Sequence, residues 1–77
     1  MDEKLDALLE KYTELMVGDT TEELKQKLEV YALYSHIAKS MPPLVKHWHE
    51  LYPDTKEEMK RLFHEIKQMN EAHRNKE

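Results

Sequence analysis

Residues 19–43 have the sequence DTTEELKQKLEVYALYSHIAKSMPP, and this stretch decides the fold. Thr20 as N-cap with Glu23 three residues later has the capping-box pattern, in which each side chain binds an otherwise unpaired backbone amide. The pattern predicts that a long helix begins here. Because a proline disfavours the helical conformation of the residue before it, Met41-Pro42-Pro43 is expected to end this helix at about Lys39 or Ser40.

The second half of this helix has a broad apolar side. Its first half carries only a narrow stripe of Leu24, Leu28 and Tyr31. Farther along, the apolar side chains spread over an arc of about 160°. They are Val30, Tyr31, Leu33, Tyr34, Ile37, Ala38 and Met41. One neighbouring helix covers less than this arc, so the helix is either central in a bundle or carries an interface on part of the arc.

Apolar spacing predicts two further helices on either side of this one. The first spans about Asp2 to Val17 and ends at Gly18, because glycine accepts the left-handed conformation of a helix terminus. A single apolar face is predicted for it, formed by Leu5, Leu8, Leu9, Tyr12, Leu15 and Met16. A short third helix is predicted from about Pro43 to Leu51, ended by Pro53, with Leu44, Trp48 and Leu51 on one face.

The fourth predicted helix runs from about Thr55 to Arg74. Asp54 is its predicted N-cap, with Glu57 at the capping-box position. Its apolar stripe consists of Met59, Leu62, Phe63, Ile66 and Met69, with His73 as an extension. Asn70 also lies on the stripe, as a polar residue that specifies helix register. The alternative is a fusion of the third and fourth segments into one helix kinked at Pro53.

These patterns predict an all-α fold, a small antiparallel helical bundle of four segments in a single domain over residues 1–77. One glycine and 36% charged residues agree with a helical chain. The absence of cysteine excludes a disulfide scaffold, a thiolate zinc site and a cysteine nucleophile. A single core in a chain this short contributes about 3–5 kcal/mol. Homodimerisation is one common way to bury more surface, and the broad apolar arc favours it.

Charge is unevenly distributed along the chain, whose net charge is -4. Residues 1–29 carry a net charge of -5, and residues 50–77 a net charge of -1. Residues 30–49, the acid-free segment, carry only Lys39 and Lys46 together with aromatic residues and three histidines. Two interpretations remain open. The segment is either a weakly cationic binding surface or a largely buried part of the core.

The sequence contains few residues in arrangements suited to catalysis or metal binding. Neither an active site nor a cofactor is predicted. His47 and His49 point about 200° apart on a helix, so they cannot hold one metal ion together. Ser35 next to His36 does not give the geometry of a catalytic triad. The chain has neither a glycine-rich phosphate loop nor a GKS or GKT motif.

A soluble, cytoplasmic protein is expected. The first apolar residues are interrupted by Asp6 and Glu10, whereas a signal peptide needs a continuous apolar stretch. The longest stretch without Asp, Glu, Lys or Arg, Val30–Ala38, falls short of the roughly 20 apolar residues of a membrane helix.

Residues 31–48, YALYSHIAKSMPPLVKHW, followed by Glu50-Leu51-Tyr52-Pro53, resemble the YusU-like family of small uncharacterised bacterial proteins. The resemblance covers most of the chain. It implies a soluble cytoplasmic protein of a Gram-positive bacterium. Because that family has no assigned activity, it implies no functional residues.

The sequence thus predicts a small non-catalytic protein that binds a protein partner through a helical surface. The predicted partner-binding residues are Tyr31, Tyr34, His36, Lys39, His47, Trp48 and His49. Desolvated aromatic residues of this kind contribute much of the energy of an interface. The alternative is a nucleic-acid-associated regulator that uses the second and third helices as a helix-turn-helix-like pair, although the acidic net charge argues against nucleic acid as a ligand.

Overall fold

Four helices and no strand occur in residues 2–75, the part of the chain that the computed structural model describes. They are α1 (Glu3–Val17), α2 (Glu22–Ser40), α3 (Pro42–Leu51) and α4 (Thr55–Asn75). The predicted all-α fold of three long helices and one short helix is confirmed. Because α3 and α4 are separate, the alternative of one helix kinked at Pro53 is wrong.

The end of α1 is held by α4. Gly18 has a φ of 83° and its amide donates to the Glu14 carbonyl, so the predicted left-handed terminus is confirmed. Asn70 of α4 donates from Nδ2 to the Met16 carbonyl at 2.7 Å, which pairs one of the free carbonyls at the end of α1. The ring of His73 lies so close to Gly18 that a Cβ there would be 2.6 Å from Nδ1.

The start of α2 lies one residue beyond the predicted position. Thr21, not Thr20, is the N-cap, and its hydroxyl accepts from the Leu24 amide at 3.1 Å. The third residue of the helix is then a leucine, so the reciprocal contact of a capping box cannot form. The Thr20 amide instead donates to the side chain of Asp19 at 2.8 Å.

A single residue, Met41, separates α2 from α3. Its amide donates to the Ile37 carbonyl at 2.7 Å, which closes α2. The helix that follows begins at Pro42, one residue before the predicted start, and it ends at Leu51 as predicted. Both prolines fit into its first turn, because residues there have no intrahelical partner for an amide proton.

The start of α4 at Thr55 agrees with the prediction, but the predicted capping box does not form. Among the hydrogen bonds of residues 2–75, none joins the Asp54 carboxylate to a backbone amide, and Glu57 does not reach back. The Thr55 hydroxyl and amide both donate to the Tyr52 carbonyl instead, at 2.6 and 3.0 Å. This contact turns the chain from α3 into α4.

Of the four helices, α2 is central. It packs against α1, α3 and α4, and α1 also packs against α4. Leu28 of α2 and Ile66 of α4 are the only fully buried apolar side chains in residues 2–75. The central position predicted for this helix is therefore confirmed. Val30 and Leu33 remain exposed on it, and an interface on this part of the arc stays a prediction.

The predicted apolar face of α1 is only half covered by the other helices. Its half-buried residues are Leu9, Tyr12 and Met16, and its exposed residues are Leu5, Leu8 and Leu15. Thr13 is fully buried in place of a leucine, since its hydroxyl proton is satisfied by the Leu9 carbonyl at 2.8 Å. At 100° per residue, Leu8 and Leu15 lie about 140° and 160° from Thr13, so its inclusion in the interior turns these two leucines outward.

Two lysines of α2 connect it to its neighbours. Lys25 Nζ lies 2.9 Å from the carboxylate of Asp6 in α1, and Lys27 binds Glu65 of α4. The Lys25 side chain is only 9% exposed. Hydrogen bonds to Asp6 and Glu22 raise the pKa of the Lys25 ammonium above its ordinary value of 10.5.

The G18A substitution is expected to lower the free energy of unfolding by about 1–2 kcal/mol, because alanine is strained at positive φ and its Cβ would meet His73. Urea unfolding followed by circular dichroism measures the loss. In a G18A/H73A double variant the steric contact is absent and only the backbone strain remains. Equal stability of G18A and the wild type would contradict the prediction.

Alkaline pH should weaken the Lys25 ion pairs. Since the folded pKa is raised, their stabilisation is complete below about pH 10.5 and is lost as the pH rises through the folded value. Wild-type melting temperature is therefore expected to fall more steeply above this pH than that of K25M. K60M removes an exposed lysine and is the control. Parallel curves for K25M and the wild type would contradict the role of Lys25.

Candidate functional site

An apolar groove lies between α2 and α3 and is closed at one side by α4. Its volume is about 320 Å³. The lining residues carry no charge and come from these three helices: Val30, Leu33, Tyr34, Ile37, Leu44, Val45, Trp48 and Met59. We call this surface the α2–α3 groove.

Aromatic rings form an edge-to-face cluster beside the groove. The Tyr34 ring lies 6.2 Å from Trp48 and 5.5 Å from Phe63 of α4, centroid to centroid. Tyr31 packs on the other side of Phe63 at 4.8 Å. Tilted and T-shaped pairs at these separations are favourable beyond the area they bury. The cluster joins α2, α3 and α4 and supports the Tyr34 and Trp48 side chains in the groove.

His49 connects the same three helices by hydrogen bonds. Its Nε2 lies 2.8 Å from the Tyr34 hydroxyl, and its Nδ1 lies 2.9 Å from the hydroxyl of Thr55. The Thr55 hydroxyl donates to the Tyr52 carbonyl, so it accepts from Nδ1–H. A neutral imidazole then offers Nε2 as acceptor to the Tyr34 hydroxyl. All polar atoms of this chain of bonds are satisfied with the proton on Nδ1.

The rim of the groove is open to solvent. Leu33 of α2 is 60% exposed and Leu44 of α3 is 50% exposed. Leu51 and Tyr52 continue this exposed apolar surface along the end of α3. Leucines exposed singly are ordinary, but a concave apolar surface with leucines at its rim is typical of a binding site.

A second, shallower depression lies at the opposite side of α3. It is bordered by charged side chains of both signs, Lys46, Glu50 and Lys56. His49 reaches this surface as well, but both of its ring nitrogens are bound within the fold. In residues 2–75 no group of three or more acidic, histidine or cysteine side chains is placed to hold a metal ion. The depression is larger than the α2–α3 groove, about 540 Å³, but it is more open and has a charged border.

The amino-acid sequence matches a family over residues 1–76, almost the full length. The chain belongs to the DUF2573 family. The description of this family is protein of unknown function. The chain is 57% identical over 77 residues to the uncharacterized protein YusU of Bacillus subtilis (strain 168), covering 100% of this chain and 81% of that relative. The predicted resemblance is confirmed, and no solved structure matches the chain.

In this DUF2573 protein the predicted partner-binding residues are divided between two environments. The half-buried ones, in the aromatic cluster, are Tyr31, Tyr34, Trp48 and His49. The exposed ones are His36, Lys39 and His47. Only Tyr34 and Trp48 line the α2–α3 groove. A role of the seven residues in binding stays a prediction.

Six groove residues of the DUF2573 chain were absent from the predicted site: Val30, Leu33, Ile37, Leu44, Val45 and Met59. The helical spacing placed them in apolar stripes, which are normally buried. The width of the arc on α2 was the available signal, because it exceeded the area that one helix covers.

No helix within residues 2–75 has both the length and the apolar character of a membrane span.

The Y34F substitution is expected to lower the free energy of unfolding by about 1 kcal/mol, because it removes the donor to His49 Nε2. Y52F is the matched control, since the side chain of Tyr52 is 55% exposed and its residue contributes only a backbone carbonyl to the network. Thermal and urea unfolding measure both. Nitrogen NMR of the imidazole should place the wild-type proton on Nδ1. A proton on Nε2, or equal losses in the two variants, would contradict the assigned hydrogen bonds.

Proposed function

We propose that this chain is a small cytoplasmic, non-catalytic interaction module that binds the apolar side chains of a protein partner in the α2–α3 groove. The observation that carries the proposal is an uncharged groove whose rim leucines, Leu33 and Leu44, are half or more exposed. A cysteine-free chain of 77 residues suits a reducing compartment, because small secreted domains normally depend on disulfides.

The energy available from this surface supports a binding role. Full burial of one leucine side chain contributes about 1.5–3 kcal/mol. Trp48 lies in the floor of the groove, and tryptophan is among the residues that contribute most to interfaces. The hydrogen bonds of His49 hold Tyr34 and α3 in place before binding. A rigid groove loses less conformational entropy on association than a mobile one.

The chemistry of the groove favours binding over catalysis. The eight lining side chains include no carboxylate, imidazole or primary hydroxyl, and Tyr34 is the only one with an ionisable group. His49, the nearest imidazole, uses both ring nitrogens in bonds to Tyr34 and Thr55. An apolar surface of this kind recognises shape and hydrophobic area.

The helix-turn-helix alternative receives less support. Such motifs join their helices by a turn of 3–4 residues, whereas Met41 alone links α2 to α3. The acid-free segment also contains no arginine, the residue that most often contacts phosphates and guanine. The helix-turn-helix alternative is therefore less well supported than the interaction module.

A capture experiment tests the proposed function. Immobilised wild-type chain, L33E and L8E are exposed to an extract of Bacillus subtilis that lacks its own relative of this chain. At least one protein is expected to be retained by the wild type and by L8E and lost from L33E. Leu8 is 67% exposed on α1, outside the groove, so L8E controls for the added charge.

Circular dichroism melts of the three proteins complete the experiment. Both leucines are exposed, and each substitution should change stability by no more than about 0.5 kcal/mol. If no retained protein depends on Leu33 although L33E stays folded, a groove that binds another protein of the cell is contradicted.

A further inference from the structure

The chain exposes more surface than a compact protein of its mass. Its accessible surface is 6143 Å², whereas a compact monomer of this mass exposes about 5,000 Å². The radius of gyration is 13.7 Å, compared with about 11.5 Å for a compact domain of this length. The difference in area is about 1,100 Å², and the interior is correspondingly small. A substantial part of the apolar surface therefore remains uncovered.

We propose that a second copy of this chain covers the α2–α3 groove and forms a two-fold symmetric dimer. This inference rests on the proposed function and names the partner of the groove. A standard interface buries about 800 Å² on each partner. The excess surface of one chain, about 1,100 Å², is comparable with this area.

The charge of the groove suits pairing with an identical surface. In a two-fold interface the same patch faces itself, so a charge close to the axis meets its own copy. None of the lining side chains is charged. The exposed leucines of α1 are different, because Leu8 lies one turn from both Lys4 and Lys11. Charged side chains therefore border the exposed leucines of α1, whereas none lines the α2–α3 groove.

The shape of the groove is also self-complementary. An identical partner needs both a projection and a recess in the same patch. Leu33 and Leu44 project at the rim, and the recess beside them has a volume of about 320 Å³. In the dimer the rim leucines of each copy enter the recess of the other and approach Trp48.

Light scattering on a size-exclusion column, over a range of concentrations, tests the inference with wild type, L33E and L8E. The expected mass is twice that of the chain for the wild type and L8E. L33E should raise the dimer dissociation constant by about 30-fold or more. Trp48 is the single tryptophan, so its emission should shift to longer wavelength on dilution of the wild type and in L33E at all concentrations.

Two results would overturn the inference. The first is a wild type that stays monomeric at the highest concentration. The second is a dimer that L8E dissociates and L33E leaves intact, because the contact would then lie on α1. The L33E chain must keep its helical circular dichroism, and L33A is a milder substitution that should weaken the dimer without adding a charge.

The capture experiment separates this inference from the proposed function. A monomeric chain that still retains a Leu33-dependent protein would overturn the second copy as occupant and leave the interaction module in place. A Leu33-dependent dimer that retains no other protein would support the second copy and contradict a different protein partner.

Discussion

The single residue between α2 and α3 is the constraint on which the rest of the structure depends. Met41 closes α2 through its amide and opens α3 without an intervening loop. Because the link is so short, α3 stays beside the end of α2, where its Trp48 and His49 reach Tyr34. The two prolines make the break unavoidable, since α2 cannot continue through them. The α2–α3 groove, the aromatic cluster and the hydrogen bonds of His49 all depend on this one-residue link between α2 and α3.

The hydrogen bonds of His49 fix the arrangement of α2, α3 and α4 around the link at Met41. Tyr34 belongs to α2, His49 to α3 and Thr55 to the first turn of α4, and each contributes one link in a chain of directed hydrogen bonds. Half-buried polar groups of this kind stabilise one geometry, because any other leaves a donor or an acceptor unpaired. The same bonds occupy both ring nitrogens of His49, one of the three histidines in the acid-free segment. His49, the histidine nearest the groove, is therefore bound within the fold through both nitrogens, whereas His36 and His47 lie exposed.

The helices could be predicted from the sequence almost to the residue, because proline, glycine and apolar spacing act within one or two turns. Gly18 and the Met41-Pro42-Pro43 break are such local effects. The capping residues were less predictable: Thr20 and Thr21 are chemically alike, and the choice depends on which carbonyls and amides the neighbouring turn leaves free.

The groove was not predictable from spacing alone. Leu28 and Leu33 both fit an apolar arc on one helix, yet the first is fully buried and the second is 60% exposed. The difference in exposure arises from where α3 and α4 pack on α2, and the residue pattern of α2 alone does not indicate this.

The exposed leucines also connect the stability of the chain to its association. Leu28 and Ile66 are the only fully buried apolar side chains in residues 2–75, so the interior provides little of the hydrophobic free energy that offsets chain entropy. Any partner that covers Leu33 and Leu44 binds the folded state alone, because the groove exists only when α2, α3 and α4 are packed together. Binding to the folded state stabilises it in proportion to the logarithm of partner concentration. For a second copy, the partner concentration is that of the chain itself, so the apparent stability would rise as the protein accumulates. In the proposed dimer, the apolar surface that the small core leaves uncovered would be the surface through which assembly completes the fold.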